Sequence, residues 1–421
     1  MRVELAYGKT GLVVELPDER TTIIEPTYLP ALPDTRGALV NALRNPIGAP
    51  PLRRLVERGQ SVAISVCDIT RPMPSATVLP VVLGELAHVS RERITVLVAT
   101  GTHRANSTEE LETMLGRDVV RDYRIVNHDA FDRTGLADLG RTAAGIPLWL
   151  NRHWVESDVK ITTGFVEPHF FAGFSGGPKM VAPGLAGIDT VMQLHGAAMI
   201  GHPDSVWGVT EGNQVHDAIR AIARQTGVDF SVDVTINRDH GITTVYAGEL
   251  FAVHRAACQV AKRTAMQHVN ERFDVVLTTN SGYPLDLNLY QAVKGMSAGA
   301  QVVRDGGTII CVAECSDGIP DHGEYKRLLS SRASPRELLE MIEEPGYSHH
   351  DQWQVQLQAQ ILLRARVLLK SGYLADDQVR AAHLEPVDDL QSAVADSMAR
   401  HGPQASICVL PQGPQTIPYV A

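Results

Sequence analysis

Short apolar, β-branched runs alternate with segments of helical spacing along most of this chain, and that alternation limits its fold more than any other feature. Residues 61–67, 94–99 and 159–163 are three such runs. Residues 75–89 carry helical spacing, and Ser107-Thr108-Glu109-Glu110-Leu111 has the pattern of a capped helix start. Parallel strands need a long crossover, and a helix supplies it. Strands that alternate with helices therefore predict βαβ units and an α/β fold with mainly parallel sheets.

The same grammar resumes near Phe273. Residues 274–278 and 308–313 read as strands, with a helix over 288–299 between them and an acidic loop at 314–322. Ser334 caps a helix with Pro335 at its first position. Residues 366–370 and 406–410 are further strands. At the start, residues 2–7 and 13–16 read as a hairpin around Tyr7-Gly8-Lys9-Thr10-Gly11, followed by helices at 34–44 and 50–57. A chain of 421 residues exceeds one average domain. Two α/β domains are expected, at 1–268 and 269–421.

Composition narrows the function classes. The hydrophobic fraction is 44%, enough for full cores. No apolar run approaches the ~20 residues that span a bilayer. The opening Met1-Arg2-Val3-Glu4-Leu5 lacks the apolar core of a signal peptide, so the expected location is cytoplasmic. A net charge of -10 argues against a nucleic-acid surface. Cys67, Cys258, Cys311, Cys315 and Cys408 form no C-x-x-C pair and read as reduced, mostly buried thiols.

In open α/β sheets the ligand crevice lies outside the carboxyl ends of the strands. Asp68, Arg71, His103, His169 and Lys179 fall in such loops, and Tyr290, Gln291 and Lys294 share a helix face just after one. The expected site is a cleft between the two domains. His103 and His169 suit a pair of bases on either side of a planar reaction centre, and equally suit hydrogen-bonded loop histidines. His195 reads as a metal ligand or, as spacing alone favours, a helix-surface histidine. Lys179 closes Gly176-Gly177-Pro178-Lys179, where proline breaks the phosphate-loop pattern. Local N–H groups and the lysine still suit a phosphate, and a covalent lysine or a solvated one are the other readings. Arg71 suits a substrate carboxylate, with Asp68 orienting it, binding a substrate hydroxyl or forming a plain local pair. Trp353 reads more readily as packing than as a binding wall.

Together these motifs resemble the lactate racemase family of nickel-pincer enzymes. The resemblance runs from the Asp68 loop to Trp353. Its most specific part is residues 169–179 with His195 downstream, supported by Gly101-Thr102-His103-Arg104 and Tyr290-Gln291-Ala292-Val293-Lys294. It implies a two-domain α/β enzyme carrying a nickel(II) pyridinium-3,5-bisthiocarboxylic acid mononucleotide. That group would be tethered to Lys179 through a thioamide, with His195 the one protein ligand to nickel. Gly176, Gly177, Asp68 and Tyr290 would lie around it. His103 and His169 would be the bases, Arg71 and Lys294 would hold the carboxylate, and Gln291 and Trp353 would complete the substrate side.

The implied reaction is racemisation of lactate or a similar aliphatic 2-hydroxy acid by reversible hydride transfer through a 2-oxo acid. Alternatives are an epimerase of a sugar-derived hydroxy acid or a malate racemase with the same cofactor, an inactive binding or sensor relative, and a zinc hydrolase. Cofactor-synthesis and nickel-insertion enzymes are the implied maturation partners, and no nucleic-acid or membrane partner is implied.

Overall fold

The computed structural model describes residues 1–321 and 323–420, so His322, the last residue of the expected acidic loop, lies outside it. The chain forms two compact units: Met1–Thr27 with Gly196–His202 and Arg263–Ala421, and Tyr28–His195 with Pro203–Lys262.

The second of these units is built on a six-stranded sheet. From one edge its order is Ile242–Gly248, Phe230–Ile236, Val159–Phe165, Val62–Cys67, Ile94–Ala99 and Arg124–Asn127. All neighbours are parallel except the first pair. Val62–Cys67 is buried at every position, which is why it reads as a continuous apolar run rather than an alternating one. Helices cover the sheet. Thr35–Arg44 starts at Asp34, whose side chain accepts from the Gly37 N–H. Thr108–Leu115 carries the expected capping box of Ser107 and Glu110. Val66, Val96, Ile161 and Val232 from the sheet pack with Leu43, Leu79 and Leu115 in one apolar cluster. Each such side chain fully buried stabilises by about 1.5–3 kcal/mol.

The other unit has a six-stranded, fully parallel sheet: Glu385–Pro386, Arg366–Lys370, Val303–Val312, Phe273–Thr279, Ile407–Leu410 and Thr21–Ile23. The last of these strands comes from the N-terminal segment. A division at 268/269 places the whole N-terminus with the first domain, but Thr21–Ile23 pairs with Ile407–Leu410. The antiparallel hairpin of Arg2–Leu5 and Leu12–Glu15 buries Val3, Leu5 and Val14 against Val275, Leu277 and Val409. The helix expected at 50–57 is a single turn, Leu52–Leu55. Residues Phe230–Ile236 and Ile242–Gly248 form strands that the sequence reading did not identify. Among the described residues no helix is long and apolar enough to cross a membrane.

Candidate active site

Val159–Phe165, Val62–Cys67 and Ile94–Ala99 are neighbouring parallel strands, so the loops at their carboxyl ends emerge side by side. The chain steps outward from Val62–Cys67 to Ile94–Ala99 and Arg124–Asn127, then returns to Val159–Phe165 on the other side. That reversal is a topological switch point, where such sheets open a crevice. Asp68 and Arg71 follow Val62–Cys67, His103 follows Ile94–Ala99, and His169 and Lys179 follow Val159–Phe165.

His103 Nδ1 lies 2.7 Å from Asp68 Oδ2. An ionised carboxylate only accepts, so Nδ1 carries the proton and the neutral ring keeps its lone pair on Nε2. Asp68 is buried while His103 is exposed. Burial alone would raise the Asp68 carboxyl, but the His103 hydrogen bond and charge, with Arg71 and Thr70, hold it below its usual value. The Thr70 hydroxyl donates to Asp68 Oδ1 at 2.7 Å, and Arg71 Nη1 donates to that hydroxyl at 3.0 Å. The pair anticipated between Asp68 and Arg71 is thus relayed through Thr70.

The loop after Val159–Phe165 folds back as a two-residue ladder pairing His169 with Gly173. Gly173 has φ +75°, and a Cβ there would lie 2.1 Å from the Val209 carbonyl oxygen, so only glycine fits. The Ala172 N–H donates to His169 Nδ1 at 3.3 Å, which leaves the proton of the neutral ring on Nε2. Phe171 is buried beside His169 and touches it edge-on, with ring centroids 4.6 Å apart. The same ring meets His195 edge-on at 5.2 Å, and Lys179 Nζ stands 5.6 Å from its centroid. One aromatic ring therefore gathers three of the residues singled out in sequence.

His195 is buried at the C-terminus of the helix Ile188–Leu194, which overturns the helix-surface reading. Its Nδ1 lies 2.8 Å from the Val191 carbonyl oxygen. A carbonyl accepts only, so the neutral ring carries its lone pair on Nε2, the arrangement a metal ligand requires.

Gly176 and Gly177, at φ +71° and +49°, start the turn Gly177–Met180. The Gly177 N–H donates to Asp233 Oδ1 at 3.1 Å. That N–H, anticipated as a phosphate donor, is committed to the buried Asp233 side chain. A Cβ on Gly177 would meet the His254 ring at 2.5 Å, so the glycine serves close packing.

Among the described residues no group of three His, Cys, Asp or Glu side chains is placed to hold a metal. His195 thus offers a single nitrogen donor, and Lys179 a half-buried amine beside the same aromatic ring. This donor set fits a group that brings its other metal ligands with it and attaches through an amine.

In the other unit Asn288 caps the helix Leu289–Ala300 by accepting from the Gln291 N–H at 3.1 Å. Lys294 Nζ donates to Gln291 Oε1 at 2.8 Å. Trp353 Nε1 donates to the Tyr290 hydroxyl at 3.0 Å. The expected residues of this helix are thus linked in pairs, and the buried Trp353 anchors Tyr290 as well as filling core.

Sequence reasoning assigned no role to Phe171, Asn213, His216, Asp233 or His254. The available signals were a lone Asp inside the apolar run Phe230–Ile236 and histidines on the apolar faces of Gln214–Thr226 and Leu250–Ala265.

Known proteins match over almost the whole chain. The lactate racemase N-terminal domain family matches residues 7–208, and the lactate racemase C-terminal domain family matches residues 269–417. A lactate racemase from Thermoanaerobacterium thermosaccharolyticum is 34% identical over 424 residues, 99% of this chain and 98% of that protein. One from Lactiplantibacillus plantarum is 34% identical over 418 residues, 98% of each. The structure of the lactate racemase apoprotein from T. thermosaccharolyticum superposes with a TM-score of 0.92 at 32% identity, covering 99% of this chain and 100% of that one. The chain belongs to the lactate racemase family of isomerases.

Proposed function

We propose that this protein interconverts the enantiomers of lactate or a similar short 2-hydroxy acid. In this reading a nickel-pincer nucleotide is tethered at Lys179, and His195 supplies the protein's ligand to nickel. The observation that carries the reading is the Phe171 ring, which holds His169, His195 and Lys179 around one point. When bound, the nucleotide supplies an acceptor for the substrate's α-hydride and returns it, with a planar 2-oxo acid in between.

The chain's own residues then have separable tasks. His103 presents the Nε2 lone pair and takes the hydroxyl proton of one enantiomer. Asp68 steadies the imidazolium that forms, through its contact with Nδ1. His169, charged as an imidazolium, returns a proton to the substrate oxygen on the other side of the planar centre and is left neutral. For the opposite enantiomer the two exchange roles. The Arg71 guanidinium and the Lys294 ammonium hold the substrate carboxylate. Gln291 steers Lys294, and Trp353 fixes the Tyr290 hydroxyl. Cofactor-synthesis and nickel-insertion enzymes are its maturation partners in this reading.

The test is a panel of single enantiomers offered to protein produced together with those maturation enzymes. Each lactate enantiomer is expected to drift to an equal mixture. Matured protein that converts no 2-hydroxy acid overturns the reading.

A further inference from the structure

Behind the loop that carries His169 and Lys179 lies a row of buried polar side chains that take up its main chain. Asn213 Nδ2 donates to the Phe171 carbonyl at 2.9 Å. His216 Nδ1 lies 3.1 Å from the Ala172 carbonyl, and His254 Nε2 lies 2.9 Å from that of Ser175. Asp233 Oδ1 accepts the Gly177 N–H at 3.1 Å. All four side chains are buried. The two histidine rings stack, with centroids 5.6 Å apart and planes 20° from parallel.

These bonds sit between the two residues whose direction matters, His169 on one flank and Lys179 on the other. Each carbonyl accepts only, so both bonded ring nitrogens are donors. Burial pushes both imidazoles down, His216 to about 3 and His254 to about 4, which keeps them neutral. A neutral ring has one N–H, and here that N–H is spent on the loop. Removing one partner would leave a buried carbonyl without a donor.

We propose that His216, His254 and Asp233 are positioning residues of the active site, which fix the main chain between His169 and Lys179 and so aim the base and the tether amine. This rests on the roles given above to His169 and Lys179. The three side chains touch the loop from behind and act through its backbone.

The experiment compares variants that keep the hydrogen bond with variants of similar size that lose it. H216N and H254Q retain an amide N–H near the bonded ring nitrogen, and D233N retains an acceptor. H216L, H254L and D233L retain bulk alone. In protein made without cofactor, hydrogen–deuterium exchange is followed over residues 167–180, together with the rate at which an amine-reactive ester acylates Lys179. The leucine variants are expected to raise loop exchange about tenfold or more and to change Lys179 acylation, with distant peptides unaffected. H216N, H254Q and D233N are expected to recover most of the protection. In matured protein the leucine variants lower kcat more than they raise KM, and the polar variants rescue it.

Loop exchange that matches wild type in the leucine variants overturns the proposal. So does a failure of the polar variants to outperform them. Should a leucine variant not fold, the polar variants decide alone: loop protection lost in H254Q or H216N contradicts the proposal, and protection kept supports it. Matured wild type that racemises nothing, alongside loop-confined loosening in the leucine variants, would remove the proposed activity and leave the positioning role standing.

Discussion

His103 Nδ1 stands 2.7 Å from Asp68 Oδ2, an exposed imidazole held by a buried carboxylate. This contact fixes both the ring's orientation and the nitrogen that carries its proton. D68N keeps the shape but removes the charge that steadies an imidazolium. The racemisation kcat of D68N is expected to fall by about two to four orders of magnitude, the span of general acid–base catalysis, with KM little changed. Steady-state rates from both enantiomers check this. A kcat within a few-fold of wild type would contradict the role given to the pair.

Lys179 and His195 face the same Phe171 ring, and the proposal gives them different duties. K179A is expected to lose the covalent mass adduct completely in protein made with the maturation enzymes. H195A is expected to keep the adduct and lose nickel. Intact-protein mass spectrometry and elemental analysis of the same samples separate the two.

Acid sensitivity should be written in the cluster behind the loop. His216 and His254 stay neutral when folded, pushed by burial to about 3 and about 4. In the unfolded chain they take up protons near pH ~6.5, so their contribution is present above that pH and lost as pH falls toward about 4. Burial moves Asp233 the opposite way, up to about 7. Its folded carboxyl keeps a proton that the unfolded chain gives up above pH ~3.9, so its contribution is lost as pH rises toward about 7. Two protons against one make the joint contribution of these three groups rise by about 1.4 kcal/mol per pH unit from about pH 4 to 6.5. Urea unfolding across that range should show H254Q lowering the slope of this limb by about 1.4 kcal/mol per pH unit and D233N raising it by about as much.

The turn that presents His169 depends on Gly173. Its φ of +75° and the 2.1 Å approach of a Cβ to the Val209 carbonyl oxygen leave no room for alanine. G173A is expected to destabilise the protein by about 2–4 kcal/mol, from backbone strain and overpacking together. Denaturant unfolding of G173A against G140A provides the measure. Gly140 also has positive φ, but nothing lies within 4 Å of its Cβ position, so G140A isolates the strain.

Where local pattern decides structure, the sequence was readable. Val62–Cys67 and Ile94–Ala99 are continuous apolar runs because parallel strands are covered on both faces. The loops holding His103, His169 and Lys179 were legible because glycine and proline punctuate them just past such runs. The rest depends on distant partners. Thr21–Ile23 pairs with Ile407–Leu410 across nearly the whole chain, and nothing near Thr21 announces it. His216, Asp233 and His254 take their meaning from backbone groups at Ala172, Gly177 and Ser175, which no spacing within their own segments encodes. For His195, spacing alone favoured a surface residue over a metal ligand, because its burial comes from tertiary packing, including the Phe171 ring.

The central claim is that the α-hydrogen leaves and returns as a hydride, with the histidines handling only the hydroxyl proton. Matured protein given one enantiomer of lactate deuterated at the α-carbon, in ordinary water, tests this most directly. The account predicts an equal mixture of enantiomers that keeps its α-deuterium. Racemisation with the deuterium washed out into solvent, or no racemisation at all, would contradict it.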